Sequence, residues 1–242
     1  MRSARDRSDR RRPPRTDRPP LGAPLFVLNL KTFPGALGPR SVAIATDLAL
    51  AGRDAGVRVA VAPATPDLAA VAAAVSVPVL AQHVDLVDAG PSTGFVPVSA
   101  LAAVGAKGSL VNHAEHPLPP ADVAETVQRL DDAGLVAVVC ARDPRTAGRL
   151  AAAGPPYLAV EPPELIGGGR SVSTAKPEVI VRGVTAVRRV SPATRLLCGA
   201  GIRGRADVRK ALELGAEGIL VASAVALAPR PRAAIEELLA GF

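Results

Sequence analysis

The sequence predicts an α/β fold: a single closed (β/α)8 barrel behind a disordered Arg/Pro-rich N-terminal tail. Three observations predict it. Eight short apolar runs without polar alternation occur at 25–30, 57–62, 77–81, 107–111, 135–140, 157–160, 195–198 and 217–221. Runs of this kind mark parallel strands buried on both faces. Each run is followed by a longer helix-like stretch, near 40–54, 65–74, 97–104, 120–133, 144–153, 177–190, 204–214 and 231–240. The length of 242 residues suits one closed barrel of roughly 250 residues.

The helix boundaries carry their own signals. Thr65-Pro66 and Asp143-Pro144 each put a capping side chain before a proline at the first helical position. Gly56, Gly105, Gly134, Gly154 and Gly215 each end a helical stretch ahead of a strand. Glycine suits that place because it enters the left-handed region without a Cβ clash. The competing architecture is an open doubly wound sheet, whose first turn usually carries a Gly-rich phosphate loop. Here the first run ends in Asn29-Leu30-Lys31 instead.

Composition sets the remaining bounds. Hydrophobic residues make up 48% and aromatic residues only 2%, so Ala, Val and Leu must fill the core. The net charge of +7 is concentrated: residues 1–20 hold eight Arg and three Asp, leaving +2 on the other 222 residues. The domain division is therefore a basic tail over 1–22, with too few apolar groups to offset its ordering entropy, and a barrel over 23–242. No aromatic residue interleaves with the tail arginines, so bases have no stacking platform and a nucleic-acid partner is not expected. No apolar run approaches the ~20 residues that span a bilayer, and no apolar segment of a signal peptide follows the basic start. A cytoplasmic protein without a membrane partner is expected. Cys140 and Cys198, the only cysteines, read as reduced core thiols.

In such a barrel the reactive groups stand at the carboxyl ends of the strands. After the first run come Asn29 and Lys31, spaced to share one face. After the fourth come Asn112-His113-Ala114-Glu115-His116, where His113 can act as acid, base or donor and Glu115 can orient a neighbour or pair with Lys31. After the sixth, Glu161 emerges from Leu158-Ala159-Val160 and leads into Pro162-Pro163-Glu164-Leu165-Ile166-Gly167-Gly168-Gly169. Desolvation there would raise its proton affinity and make it a better general base. A Pro-braced, Gly-rich loop has the composition of a lid. After the seventh and eighth runs, Gly199-Ala200-Gly201 and Ala222-Ser223-Ala224 allow backbone N–H groups to approach a phosphate. A lone lysine is ordinarily a surface residue and a lone histidine an ordinary structural one. The coincidence of all these groups at strand ends is the stronger signal. Three histidines without a neighbouring cysteine do not make a zinc site, so no metal is expected.

Asn29-Leu30-Lys31-Thr32-Phe33, Asn112-His113-Ala114-Glu115, Ala159-Val160-Glu161-Pro162-Pro163-Glu164-Leu165-Ile166-Gly167 and Cys198-Gly199-Ala200-Gly201-Ile202 resemble signatures of the archaeal-type triosephosphate isomerase family. The resemblance runs in order from about residue 24 to the C-terminus. It implies an aldose–ketose isomerase of glycolysis and gluconeogenesis, acting on a small sugar phosphate without a cofactor, as a homodimer or homotetramer. It further implies Glu161 as base, His113 as electrophile, Lys31 as the stabiliser of enediolate charge, Glu115 as its support and Asn29 as a substrate ligand. Backbone groups at Ile166, Gly167, Gly201, Ala222 and Ser223 are implied to bind phosphate.

Three positions depart from the family pattern. Ala114 stands where a Ser is usual, Gly168 where a Thr is common between glycines, and Ala224 where a Gly is common. These departures keep two other readings open: an isomerase of a four-carbon sugar phosphate, and a phosphate-binding barrel without catalysis.

Overall fold

The computed structural model describes residues 21–167 and 171–242. Most of the expected tail, residues 1–20, and Gly168 and Gly169 of the expected lid lie outside the described residues.

Eight parallel strands form the architecture: β1 (Leu25–Asn29), β2 (Arg58–Ala62), β3 (Leu80–Ala81), β4 (Gly108–Val111), β5 (Val136–Ala141), β6 (Tyr157–Val160), β7 (Arg195–Gly199) and β8 (Gly218–Val221). Their order is β2-β1-β8-β7-β6-β5-β4-β3, and a parallel bridge from Val61 to Val79 joins the two outer strands. That bridge closes the barrel, and the doubly wound alternative is set aside. Each strand falls within a residue of its expected run except β3, which keeps two residues of the five expected. The reason is Pro78, which has no N–H for a ladder. Its carbonyl still accepts from Val61 N at 3.1 Å.

Helices α1 (Pro39–Ala55), α2 (Leu68–Ala74), α3 (Val98–Ala103), α4 (Pro120–Asp132) and α5 (Pro144–Leu150) follow the first five strands. Two short helices, α6 (Val172–Ala175) and α9 (Ser223–Ala226), accompany α7 (Pro177–Val190), α8 (Arg205–Glu213) and α10 (Pro231–Leu239). Neither short helix is foreshadowed by periodicity, since four residues are barely one turn. Asp143 caps α5 as expected, accepting from Thr146 N at 2.7 Å. Thr65 does not cap: it sits inside a 3-10 turn, Thr65–Asp67, ahead of α2. Gly56, Gly105, Gly134, Gly154 and Gly215 all have positive φ.

The alternation of side chains along a strand divides the core in two. Outward residues such as Phe26, Leu28, Leu158, Val160 and Leu196 pack under the helices. Inward residues fill the barrel: Leu25 and Val27 of β1, Val138 and Cys140 of β5, Tyr157 and Ala159 of β6, Leu197 of β7 and Leu220 of β8. The only tyrosine closes the amino-terminal end, its hydroxyl donating to the Gly22 carbonyl at 2.8 Å. Continuing the same parity by one step gives Asn29, Glu161, Gly199 and Ala222 at the carboxyl end. The strand period thus delivers candidate site residues to the barrel mouth.

Candidate active site

All ten residues singled out from the sequence line one cavity of about 170 Å³ at the carboxyl end of the strands: Asn29, Lys31, His113, Glu115, Glu161, Ile166, Gly167, Gly201, Ala222 and Ser223. Phe33, Ala200, Ile202, Leu220 and Val221 complete its walls. Ligand pockets for drug-sized molecules span roughly 300–1,000 Å³, so this one suits a smaller ligand.

Among the described residues, three other than glycine have positive φ: Lys31, Asn112 and Ala200. Each follows a strand at the mouth, and such strain concentrates at functional sites. Local bonds hold it in place. The Lys31 N–H donates to Asn29 Oδ1 at 2.9 Å. Gln82 Nε2 donates to the Lys31 carbonyl at 2.9 Å and to the Ala62 carbonyl at 3.0 Å. Asn112 donates through Nδ2 to the Cys140 carbonyl at 2.9 Å and accepts at Oδ1 from Leu118 N at 2.8 Å. The Asn112 bonds fix the loop that carries His113 and Glu115.

Lys31 Nζ and Glu115 Oε1 are 2.6 Å apart, a charge-assisted bond between loops from opposite sides of the mouth. The backbone N–H of Glu115 donates to His113 Nδ1 at 3.2 Å. An imidazole that accepts at Nδ1 is neutral with its proton on Nε2. His113 Nε2 therefore presents a donor to the cavity.

Glu161 is 6% exposed. Its Oε2 has no hydrogen-bond partner and lies 3.8 Å from His113 Nε2. That gap is too long for a direct hydrogen bond and leaves a free acceptor facing a free donor. Burial raises the Glu161 carboxyl above the ordinary carboxylate range, and the hydrogen-bonding Cys140 thiol opposes the rise. Cys140 is itself buried, and desolvation followed by the charge of Glu161 holds its thiol well above the usual range. It is therefore a neutral neighbour of the carboxylate and not a nucleophile.

The end of the cavity at Gly167, Gly201 and Ser223 is lined by backbone. Gly167 and Gly201 have φ of 69° and 74°, and Ser223 opens α9. The Val172 N–H donates to the Ala200 carbonyl at 3.2 Å, tying the far end of the Gly-rich loop to the turn after β7 that carries Gly201. Glu164, ahead of that loop's glycines, forms an ion pair with Lys176, which follows α6.

Sequence reasoning missed Gln82 and two neighbours of Glu161: Cys140, and Gly199, which it named only among the small residues that admit a phosphate. Gln82 was within reach, because it follows the third apolar run just as Asn112-His113 follows the fourth. The other two depend on packing between strands, which no single run displays.

The triosephosphate isomerase family profile matches residues 24–237. The triosephosphate isomerase of Methanothermus fervidus is 45% identical over 219 residues, covering 90% of this chain and 99% of its own. That of Cenarchaeum symbiosum is 45% identical over 216 residues, 89% and 96% of the two chains. That of Methanocaldococcus jannaschii is 40% identical over 215 residues, 89% and 98%. A family profile over most of the chain and identity of this level over nearly the whole barrel decide the matter: the chain belongs to the triosephosphate isomerase family.

Proposed function

We propose that this protein interconverts dihydroxyacetone phosphate and D-glyceraldehyde 3-phosphate by proton transfer through an enediolate, in glycolysis and gluconeogenesis. The observation that carries the reading is the pair of facing groups at the mouth: a buried carboxylate with an unpartnered oxygen, opposite a neutral imidazole whose Nε2–H is free to donate. A Glu base, a neutral His and a closing loop are the known scheme of this family.

In this reading Glu161 Oε2 takes a proton from one carbon of the substrate and returns it to the neighbouring one. A carboxyl whose proton affinity is raised by burial is better matched to that task at neutral pH than an exposed one. Nε2–H of His113 polarises the carbonyl and steadies the developing oxyanion. Lys31, fixed by Glu115, adds positive charge at the same place, and Asn29 sets the Lys31 backbone and contacts substrate. Backbone N–H groups at Ile166, Gly167, Gly201, Ala222 and Ser223 take the phosphate, and the Gly-rich loop excludes water from the enediolate. The chemistry calls on no cofactor.

The small cavity favours a three-carbon substrate over a four-carbon one. The intact set of Lys31, His113 and Glu161 favours catalysis over simple binding. Residues 23–242 form the one isomerase domain, and Gly22 just before it joins the barrel by accepting from the Tyr157 hydroxyl. Phe95, 55% exposed on the loop between β3 and α3, supports assembly as a homodimer or homotetramer. The free buried thiols Cys140 and Cys198 fit a reducing cytoplasm. Among the described residues no helix is long and apolar enough to cross a membrane.

The test is turnover of purified protein on three- and four-carbon aldose phosphates. Faster turnover of glyceraldehyde 3-phosphate is expected. Preference for the longer sugar, or binding of phosphate ligands without turnover, would replace the reading.

A further inference from the structure

Gly199 ends β7 one rung beyond the Val160–Cys198 pair, directly beside Glu161 and with the same inward parity. Its φ lies outside the left-handed region, so the backbone conformation does not call for glycine. The neighbour does. A Cβ on Gly199 would stand 2.5 Å from Glu161 Cγ, 2.6 Å from Oε1 and 2.8 Å from Cδ. The two strands are fixed by their ladder, so the carboxylate would have to move. On its other side Oε2 faces His113 Nε2 at 3.8 Å, which limits where it can go.

We propose that Gly199 is a positioning residue for the base: its bare backbone forms the wall against which Glu161 rests. The wall covers Oε1 and leaves Oε2 as the oxygen turned to the substrate. A side chain at residue 199 therefore displaces the proton-accepting atom without touching the substrate itself. This inference rests on the assignment of Glu161 as base.

Four proteins test it: wild type, Gly199→Ala, Glu161→Ala and the double variant, each assayed on glyceraldehyde 3-phosphate and by thermal melting. Displacement of a reacting group by an ångström can reduce rate by about a hundredfold. Gly199→Ala is accordingly expected to lower kcat on that scale with KM little changed, and to move the acid limb of kcat/KM. Its melting midpoint should fall by roughly 5 °C in the wild-type background. It should not fall in the Glu161→Ala background, where the methyl enters space the carboxylate has left. Failure of Gly199→Ala to fold, with a folded double variant, would support the same contact. Wild-type kcat in Gly199→Ala, or an equal loss of stability in both backgrounds, would overturn it. Full activity in Glu161→Ala would instead remove the base assignment, and the positioning role with it, whatever the melting data show.

Discussion

Glu161 meets two opposing requirements. Catalysis asks for a carboxylate poised to accept a proton, and folding disfavours burying one without a partner. Burial raises its folded-state proton affinity, so the linkage has a definite sign. Below the unfolded-state value both states hold the proton and nothing is lost. As pH rises from there through the raised folded value, the unfolded chain ionises first and stability falls. Glu161→Gln, which cannot ionise, should therefore melt above wild type at neutral pH and lose that advantage below about pH 4. Calorimetry across that range checks it, and a constant difference at all pH values would contradict the sign. Glu161→Asp keeps the charge but retracts it. Turnover should fall by about a hundredfold or more with KM nearly unchanged, as steady-state kinetics would show. His113→Gln should fold normally and lose turnover by about 10²–10³, the scale of removing one oxyanion donor. At this scale the sequence was informative wherever a polar group directly followed an apolar run. It was silent on the contacts of Gly199 and Cys140 with Glu161, because both arise from the register between strands that are separate in the chain.

Elements bring these residues together, and the strand ladder is the element most exposed to test. Gly108 opens β4, and a Cβ there would stand 2.0 Å from the Val136 carbonyl oxygen. Unlike Glu161 beside Gly199, that obstacle is backbone and cannot swing away. Gly108→Ala should therefore destabilise the barrel by about 1–3 kcal/mol or more, measured by denaturant unfolding, while leaving the kinetic constants of the folded fraction intact. The strands and long helices were legible because their periodicity is strong and their glycine stops are clear. β3 was overextended because apolar character alone does not register the missing N–H of Pro78. Helices α6 and α9 were invisible because one turn has no period to read.

Across the whole molecule, the formal charge of +7 divides unevenly. The arginine-rich segment lies outside every element that carries the site, and the barrel body is nearly neutral. Removing residues 1–20 should leave kcat and KM on glyceraldehyde 3-phosphate unchanged, since Gly22, the carbonyl partner of Tyr157, is retained. A large kinetic effect of that deletion would give the tail a part in the reaction. The closed order of eight strands was accessible from the sequence because each unit repeats one pattern. The arrangement of subunits was not, since surface apolar groups such as Phe95 do not announce their partners. The most direct measurement of the central claim is isomerase turnover on glyceraldehyde 3-phosphate by the purified protein beside its Glu161→Ala variant. Rapid turnover in the first, abolished in the folded second, is the predicted result. No turnover by folded wild type, or equal turnover by both, would contradict it.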